Sequence, residues 1–412
     1  MEYIVLAIPV FFILIGIELW VSYRKNAALY RMNDAITNIS CGIGQQVSGV
    51  FFKTFIFLTY VYLYEHFAIL NIPVNPLTWI LLFLGVDFFY YWFHRLSHEI
   101  NFIWATHIVH HQSEEYNFSV ALRQSWFQGL ISWVFYIPLA LIGFDPVLIV
   151  TVAAFNTLYQ FWIHTKLIDR MGPLEWVFNT PSHHRVHHGS NPKYIDKNHG
   201  GTLIIWDRLF GTFQAEEEEV VYGITKPIKS WNPVWANFHY WVELFEMARK
   251  APRFSDKLNT FIQPPGWRPS SMGGREYAPE VDIQTYKKFD VVIPRQLAIY
   301  GLVQFVGLLF VTSFFLFTWN AINEAGNALP VVVYSGMAVY IIFSIYSLGT
   351  GYEGRSSFYR NEFIRIVALT VLSFLGWSMQ LYAIPAMIWI AFSVVSLFWL
   401  LSLRRKKILS WT

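Results

Sequence analysis

Of the 13 histidines in this 412-residue chain, eight fall into three short motifs. Residues 94–98 read HRLSH, residues 107–111 HIVHH and residues 184–188 HRVHH. His94 and His98 are four apart, so on a helix they project from one face about one turn apart, where two imidazoles can share a metal ion. The spacing of His107, His110 and His111 again puts at least two ring nitrogens on one side of a helix, and His184, His187 and His188 repeat it. Each motif lies beside a hydrophobic stretch, where an unpaired imidazole would be costly. Isolated histidines such as His66 and His239 read as core or interface residues, whereas the clustered eight read as metal ligands.

Eight neutral nitrogens exceed the roughly four ligands that satisfy one zinc ion, so two metals are implied. Imidazoles with open positions suit a borderline metal such as iron and do not suit Mg²⁺ or Ca²⁺. Paired iron beside a lipid-facing surface points to dioxygen activation and attack on an unactivated C–H bond. Cys41 is the only cysteine, which excludes an intrachain disulfide and a cysteine-ligated cluster. A haem electron carrier would need axial ligands on facing helices rather than tight triplets, and a metal transporter would place ligands near the bilayer midplane.

The elements that position these residues are membrane spans. The chain is 55% hydrophobic, 19% aromatic and 14% charged, with mean hydropathy +0.37, which are membrane values. A net charge of +3 gives no reason to expect a nucleic-acid partner. The first span is residues 3–23, followed by Arg24 and Lys25; the second covers residues 47–64. The loop 65–76 has no Lys or Arg, which places it outside. The third span, residues 77–93, returns the chain to the cytoplasm and delivers His94. Asp87, seven residues earlier, lies on the same face and is expected to accept a hydrogen bond from a ligand imidazole. Glu99, next to His98, is a further ligand or supporting candidate.

Residues 127–143 and 146–163 form an antiparallel helical pair that need not cross the whole bilayer. Asn156, Gln160 and His164 make a polar stripe on its second helix, so His164 becomes a ninth ligand candidate. Residues 165–295 are soluble in character and form a cap over the site. In it His199 reads equally as a ligand or a turn residue, and the acids at 216–219 as a solvated surface. Four more hydrophobic segments follow, near residues 297–319, 329–348, 363–382 and 383–403. Arg355, Arg360 and Arg365 mark a cytoplasmic loop among them, and residues 404–407 a basic tail.

The motifs HRLSH, HIVHH and HRVHH, the connecting GPLEWVFNTPSHHRVHH and the closing WDRLFGTF resemble the fatty acid hydroxylase and sterol desaturase superfamily of integral-membrane di-iron oxygenases. The segments YYWFHRLSHE, YNFSVALRQS, LYQFWIHT and DKNHGGTLIIWDRLFGTF are similar to its pterin-dependent branch, which hydroxylates the ether-bearing carbon of glyceryl ethers. The likeness runs from Asn33 to Thr225. It implies iron ligation by His94, His98, His107, His110, His111, His184, His187 and His188, with His164 matching a further histidine and Glu99 an acid beside the first motif. The implied partners are a bilayer lipid, O2 and a reductant. No nucleotide-binding motif and no haem or iron–sulfur ligand set is recognised, so the reductant is expected to be tetrahydrobiopterin or an external electron-transfer partner.

The expected architecture is an all-α integral membrane protein, a multi-span helical bundle of about nine hydrophobic segments with a cytoplasmic histidine-rich di-metal cap. Residues 1–295 form the hydroxylase-like domain, with its motif core at 77–225, and residues 296–412 a four-span bundle of unknown role. The membrane is a bacterial inner membrane or the endoplasmic reticulum. Sterol or fatty acyl hydroxylation or desaturation is the alternative chemistry.

Overall fold

A computed structural model describes residues 3–281, 286–323, 328–378 and 383–405. Among them the secondary structure is helical, with two isolated β-bridges, Phe178 with Leu203 and Gly189 with Tyr222. Six helices are long and apolar enough to cross a membrane, and the chain is a multi-pass membrane protein. It divides into two compact units. One comprises Met1–Gln45, Gly49–Ile228 and Asn237–Lys288, and the other Gln46–Ser48, Lys229–Ala236 and Phe289–Thr412.

The first unit opens with α1 (Tyr3–Lys25) and α2 (Met32–Phe67). At 36 residues, α2 is about 54 Å long, well beyond the roughly 30 Å hydrocarbon core. Its extra length lies before the expected span, where Asp34, Thr37, Asn38 and Ser40 are buried. Here Gly42 and Gly44 admit close neighbours: a Cβ on Gly42 would lie 2.4 Å from the Leu122 carbonyl oxygen, and one on Gly44 would strike the Trp126 ring. Next comes α3 (Pro76–Glu99), started by Pro76 and by the Asn75 side chain accepting from the Thr78 N–H at 3.1 Å. Short helices α4 (Asn101–Trp104), α5 (Ile108–His111) and α6 (Phe118–Ala121) follow.

The helical pair is α7 (Gln128–Ser132), a 3₁₀ turn and α8 (Ile137–Ile142) against α9 (Pro146–Trp162). Asp145 caps α9 by accepting from the Val147 and Leu148 N–H groups at 2.7 and 3.3 Å. The pair is apolar but too short to count among the six spans. Tyr60, Leu82, Val86, Leu139, Phe144, Ile149 and Val152 form the core where α2, α3, α8 and α9 meet. Beyond it lie α10 (Pro181–His187), α11 (Ile205–Phe210), α12 (Pro233–Lys250) and α13 (Phe254–Ile262).

The second unit holds α14 (Arg295–Asn323), α15 (Ala328–Tyr352), α16 (Phe358–Ser378) and α17 (Ala383–Arg405). Neighbouring helices pack in turn and α14 also meets α17. Three of the four are among the six spans; α16 is not. Arg365 is corrected from a loop marker to a buried residue of α16. Its guanidinium pairs with Glu362 at 2.9 Å, which also accepts from Tyr300 and Ser347. Three positions apart on one helix, the two charges cancel inside the bundle, so Arg365 says nothing about topology. Lys406 and Lys407 of the basic tail lie outside the described residues. Gly349–Gly354, GTGYEG, has the letters of a nucleotide-binding turn, which corrects the expectation that no such motif occurs. Gly349 and Gly351 sit within α15, however, with no strand before them, so the segment is a helix end rather than a phosphate cradle.

Candidate metal centre

The end of α3 places His94 and His98 one turn apart, α5 carries His110 and His111 with His107 just before it, and α10 carries His184 and His187 with His188 just after. His164 follows the end of α9. All nine are buried, and the structure gathers them into two groups. His94, His98, His107, His111 and His187 form the first; His110, His164, His184 and His188 form the second. Within each group one nitrogen per ring lies within 4.8 Å of every other, and either group could hold a metal ion.

Tautomers follow from the outer nitrogens. The Nδ1 of His94 lies 2.7 Å from the His199 carbonyl oxygen, that of His110 2.9 Å from the Arg123 carbonyl, that of His164 2.7 Å from the Gln160 carbonyl and that of His187 2.9 Å from the Lys197 carbonyl. A carbonyl can only accept, so each Nδ1 carries the proton and each Nε2 of the neutral ring is a bare lone pair. His107 donates in the same way to Gln128 Oε1 at 3.0 Å. Yet the Nε2 atoms of His94 and His107 face each other at 3.0 Å, and those of His110 and His164 at 3.2 Å. Two lone pairs cannot hydrogen-bond, so a cation between them is what the arrangement fits. Two nitrogens at right angles on one metal, each about 2.1 Å from it, lie about 3 Å apart. The all-imidazole donor set therefore fits two borderline metals, one per group.

Residues 79–212, which include all nine histidines, match the fatty acid hydroxylase family. The chain is 40% identical to an alkylglycerol monooxygenase of Homo sapiens over 403 residues, 97% of this chain and 88% of that protein. It is also 40% identical to the Xenopus tropicalis enzyme of that name over 374 residues, covering 90% and 82% of the two chains. The chain belongs to the alkylglycerol monooxygenase family. An ornithine lipid hydroxylase of Rhizobium tropici is 32% identical over 128 residues, 31% of this chain and 39% of that one. No solved structure matches. As a member of the alkylglycerol monooxygenase family, the chain is a membrane lipid monooxygenase, and the nine histidines are its metal-site candidates.

The other expected site residues are placed differently. Asp87 meets no imidazole among the described residues: it accepts from the Thr202 N–H at 2.8 Å, the Leu203 N–H at 3.1 Å and the Trp206 indole at 2.9 Å. It therefore fastens the segment after His199, whose carbonyl orients His94, and acts on that ring only at second hand. Glu99 lies outside both groups, partly exposed, pairing with Arg95 at 2.9 Å. One position along a helix turns the side chain by about 100°, so adjacency to His98 carries Glu99 away from the site. The α9 stripe faces protein, with Gln160 accepting from Tyr90 at 2.6 Å and Asn156 from Thr202 at 3.0 Å. His239 is buried outside both groups, and His66 stacks on Tyr62 far along α2.

Two arginines that the sequence reading passed over hold the family's histidine segments. Arg185 donates to the Thr165 and Ile168 carbonyls at 3.1 and 2.7 Å and to Glu216 at 2.8 and 2.7 Å, tying α10 to the stretch beyond His164. Glu216 is thus a partner and not part of a solvated run. Arg123, fully buried, donates to the Val109 carbonyl at 2.8 Å, Asn38 Oδ1 at 3.0 Å and Gln112 Oε1 at 2.6 Å. A cavity of about 620 Å³ reaches both groups, bounded by His98, His111, His187 and His188 and by Trp104 and Trp267.

Burial, and then the neighbouring imidazoles, holds His184, His187 and His188 well below the ordinary 6.5. His107 is pushed down to about 3 mainly by burial. In metal-free protein the unfolded imidazole protonates near 6.5 while folded His107 stays neutral to about 3, so in that window the unfolded state binds more protons. The stability contributed by neutral burial is whole above pH 6.5 and is lost progressively as pH falls toward 3. Chelator-treated protein in detergent should therefore melt at a lower temperature at about pH 5 than at about pH 7.5, each such ring lowering the unfolding free energy by up to about 1.4 kcal/mol per pH unit below about 6.5. A melting temperature that stays flat across that interval would contradict this account.

Proposed function

We propose that the nine histidines hold two iron ions and that the chain hydroxylates the ether-bearing carbon of alkylglycerols. The observation that carries the reading is the pair of histidine groups, each with opposed bare nitrogens, in a chain whose relatives of matching length are alkylglycerol monooxygenases. Iron supplies O2 binding and C–H oxidation. The chain's own part is to keep the buried ligand rings neutral and to orient His94, His107, His110, His164 and His187 through their Nδ1 bonds, so that the metals retain most of their charge. Apolar helices bring the alkyl chain to the ends of α3 and α9, and the buried cap keeps bulk water from the reacting carbon.

In the overall reaction one oxygen atom enters the C–H bond and the other leaves as water, with two electrons and two protons supplied. The reductant is tetrahydrobiopterin or a separate redox protein. The ether oxygen's lone pair stabilises electron deficiency at the adjacent carbon, which makes that C–H bond the favoured target. The hemiacetal formed there collapses to a fatty aldehyde and glycerol. We place the histidine end of α3 on the cytoplasmic face of a bacterial inner membrane or the endoplasmic reticulum, because Arg24 and Lys25 follow α1 while residues 65–76 carry no Lys or Arg.

Purified protein given iron, tetrahydrobiopterin and labelled O2 should convert an alkylglycerol to glycerol and a fatty aldehyde that, trapped at once by reduction, carries one labelled oxygen. Label in a sterol or acyl hydroxyl instead, with the ether intact, would retain the lipid hydroxylase and reject the ether-lipid substrate.

A further inference from the structure

His199 stands beside the first group without belonging to it. Its ring is wholly buried, and among the described residues it is the only histidine with both ring nitrogens buried and without a hydrogen-bond partner. Leaving a buried polar group unpaired costs about 1–3 kcal/mol, and the nearby Asp196 main chain does not reach hydrogen-bond geometry with the ring, which therefore calls for a better partner. It cannot swing away to find one. Its N–H donates to Asp207 Oδ1 at 2.7 Å, the next N–H, of Gly200, donates to Asp207 Oδ2 at 2.7 Å, and its carbonyl accepts from His94 at 2.7 Å. Asn198 before it has φ +55° and is pinned by its amide to the His183 and Gln214 carbonyls.

The position is specific. The His199 ring centre is 5.6 Å from that of His94, 5.1 Å from that of His98 and 5.6 Å from that of His187, three of the five rings of the first group. Five imidazoles leave one position on a six-coordinate ion, and His199 is a sixth ring next to them that stays outside the converging set. We propose that His199 binds, through a hydrogen bond, the small oxygen ligand that occupies the open position of the first metal. The assignment rests on the two-metal reading above. It makes His199 an oxygen-ligand contact and not a tenth metal ligand.

Azide, a small anion that competes for open positions on iron, is the probe. Full-length wild-type, His199→Phe and His199→Gln proteins are compared in detergent for metal content and for azide affinity by optical titration. His199→Phe should retain two metals per chain but bind azide about tenfold or more weakly. His199→Gln, which keeps an N–H donor, should recover affinity to within about threefold of wild type, and His199→Leu takes the place of the phenylalanine variant if that one does not fold. Loss of one metal from either variant would make His199 a ligand and overturn the proposal. Unchanged azide affinity in His199→Phe, or an affinity in His199→Gln no better than in His199→Phe, would also overturn it. Wild-type protein lacking two metals would instead defeat the di-metal reading, and this proposal with it.

Discussion

His187→Ala and His110→Ala should each leave a protein that inserts, carries about one metal ion instead of two and has no measurable turnover. The two substitutions strike different groups, since His187 belongs to the first and His110 to the second. Residues that merely support a metal ligand typically cost about 10–100-fold in affinity or activity when removed, and loss of a ligand from a cooperating pair of metals should exceed that range. Each variant also strips one nitrogen from a buried site whose remaining rings face each other without protons between them, as His94 and His107 do. Metal analysis on the purified variants, read beside His66→Ala as the control, decides the matter. Two metals retained in both variants would remove these histidines from the ligand set. A single metal in the wild type would reduce the site to one group.

Arg123→Ala should be strongly destabilising. The guanidinium gathers the Val109 carbonyl, Asn38 and Gln112. Asn38 in turn donates to Asp34 at 2.8 Å, and Ser113 donates to the same carboxylate at 2.8 Å. The whole network is buried, so the substitution strands three acceptors and removes a cation that acts on Asp34 through space. Each buried acceptor left unpaired costs about 1–3 kcal/mol. Metal loading should fall as well, because the Arg123 main-chain carbonyl that orients His110 sits in the loop the guanidinium holds. Arg123→Lys keeps the charge but not the forked geometry, and its stability should fall between the two. Thermal melts in detergent that place the alanine variant within about 1 kcal/mol of wild type would show that the network is not the clamp described.

Much of this site could be read before any coordinates, because metal-ligand spacing on a helix is a local property. His94 with His98 and His184 with His187 need only one turn of helix to be recognised. The Asn156–Gln160–His164 stripe needs only that polar residues on an apolar helix face protein. The split of the ligands was not legible. His107 and His110 sit three apart in one motif and enter different groups, since spacing fixes the side of a helix but not the metal each ring reaches. Asp87 was placed on the right face and given the wrong partners, because those partners come from Thr202, Leu203 and Trp206, more than a hundred residues away. The buried network around Arg123 and Asp34 hid behind polar letters that usually mean solvent. Only the tertiary fold turns QSEEYN into a buried segment. The long α2 was underestimated for the same reason, its first turns being polar and therefore silent to hydropathy.

The membership of the two groups also dictates an order of manufacture. The first group is incomplete without His187, and the second draws three of its four rings from His164, His184 and His188. By the time the last of these is synthesised, α1, α2 and α3 precede it by more than eighty residues and can enter the membrane first. The Asp207 carboxylate that fixes the His199 turn arrives later still. Neither metal pocket exists on a nascent chain shorter than about half the protein. A metal ion can therefore be held only once the chain has been made past His188, and a polypeptide truncated before His184 lacks ligands of both groups.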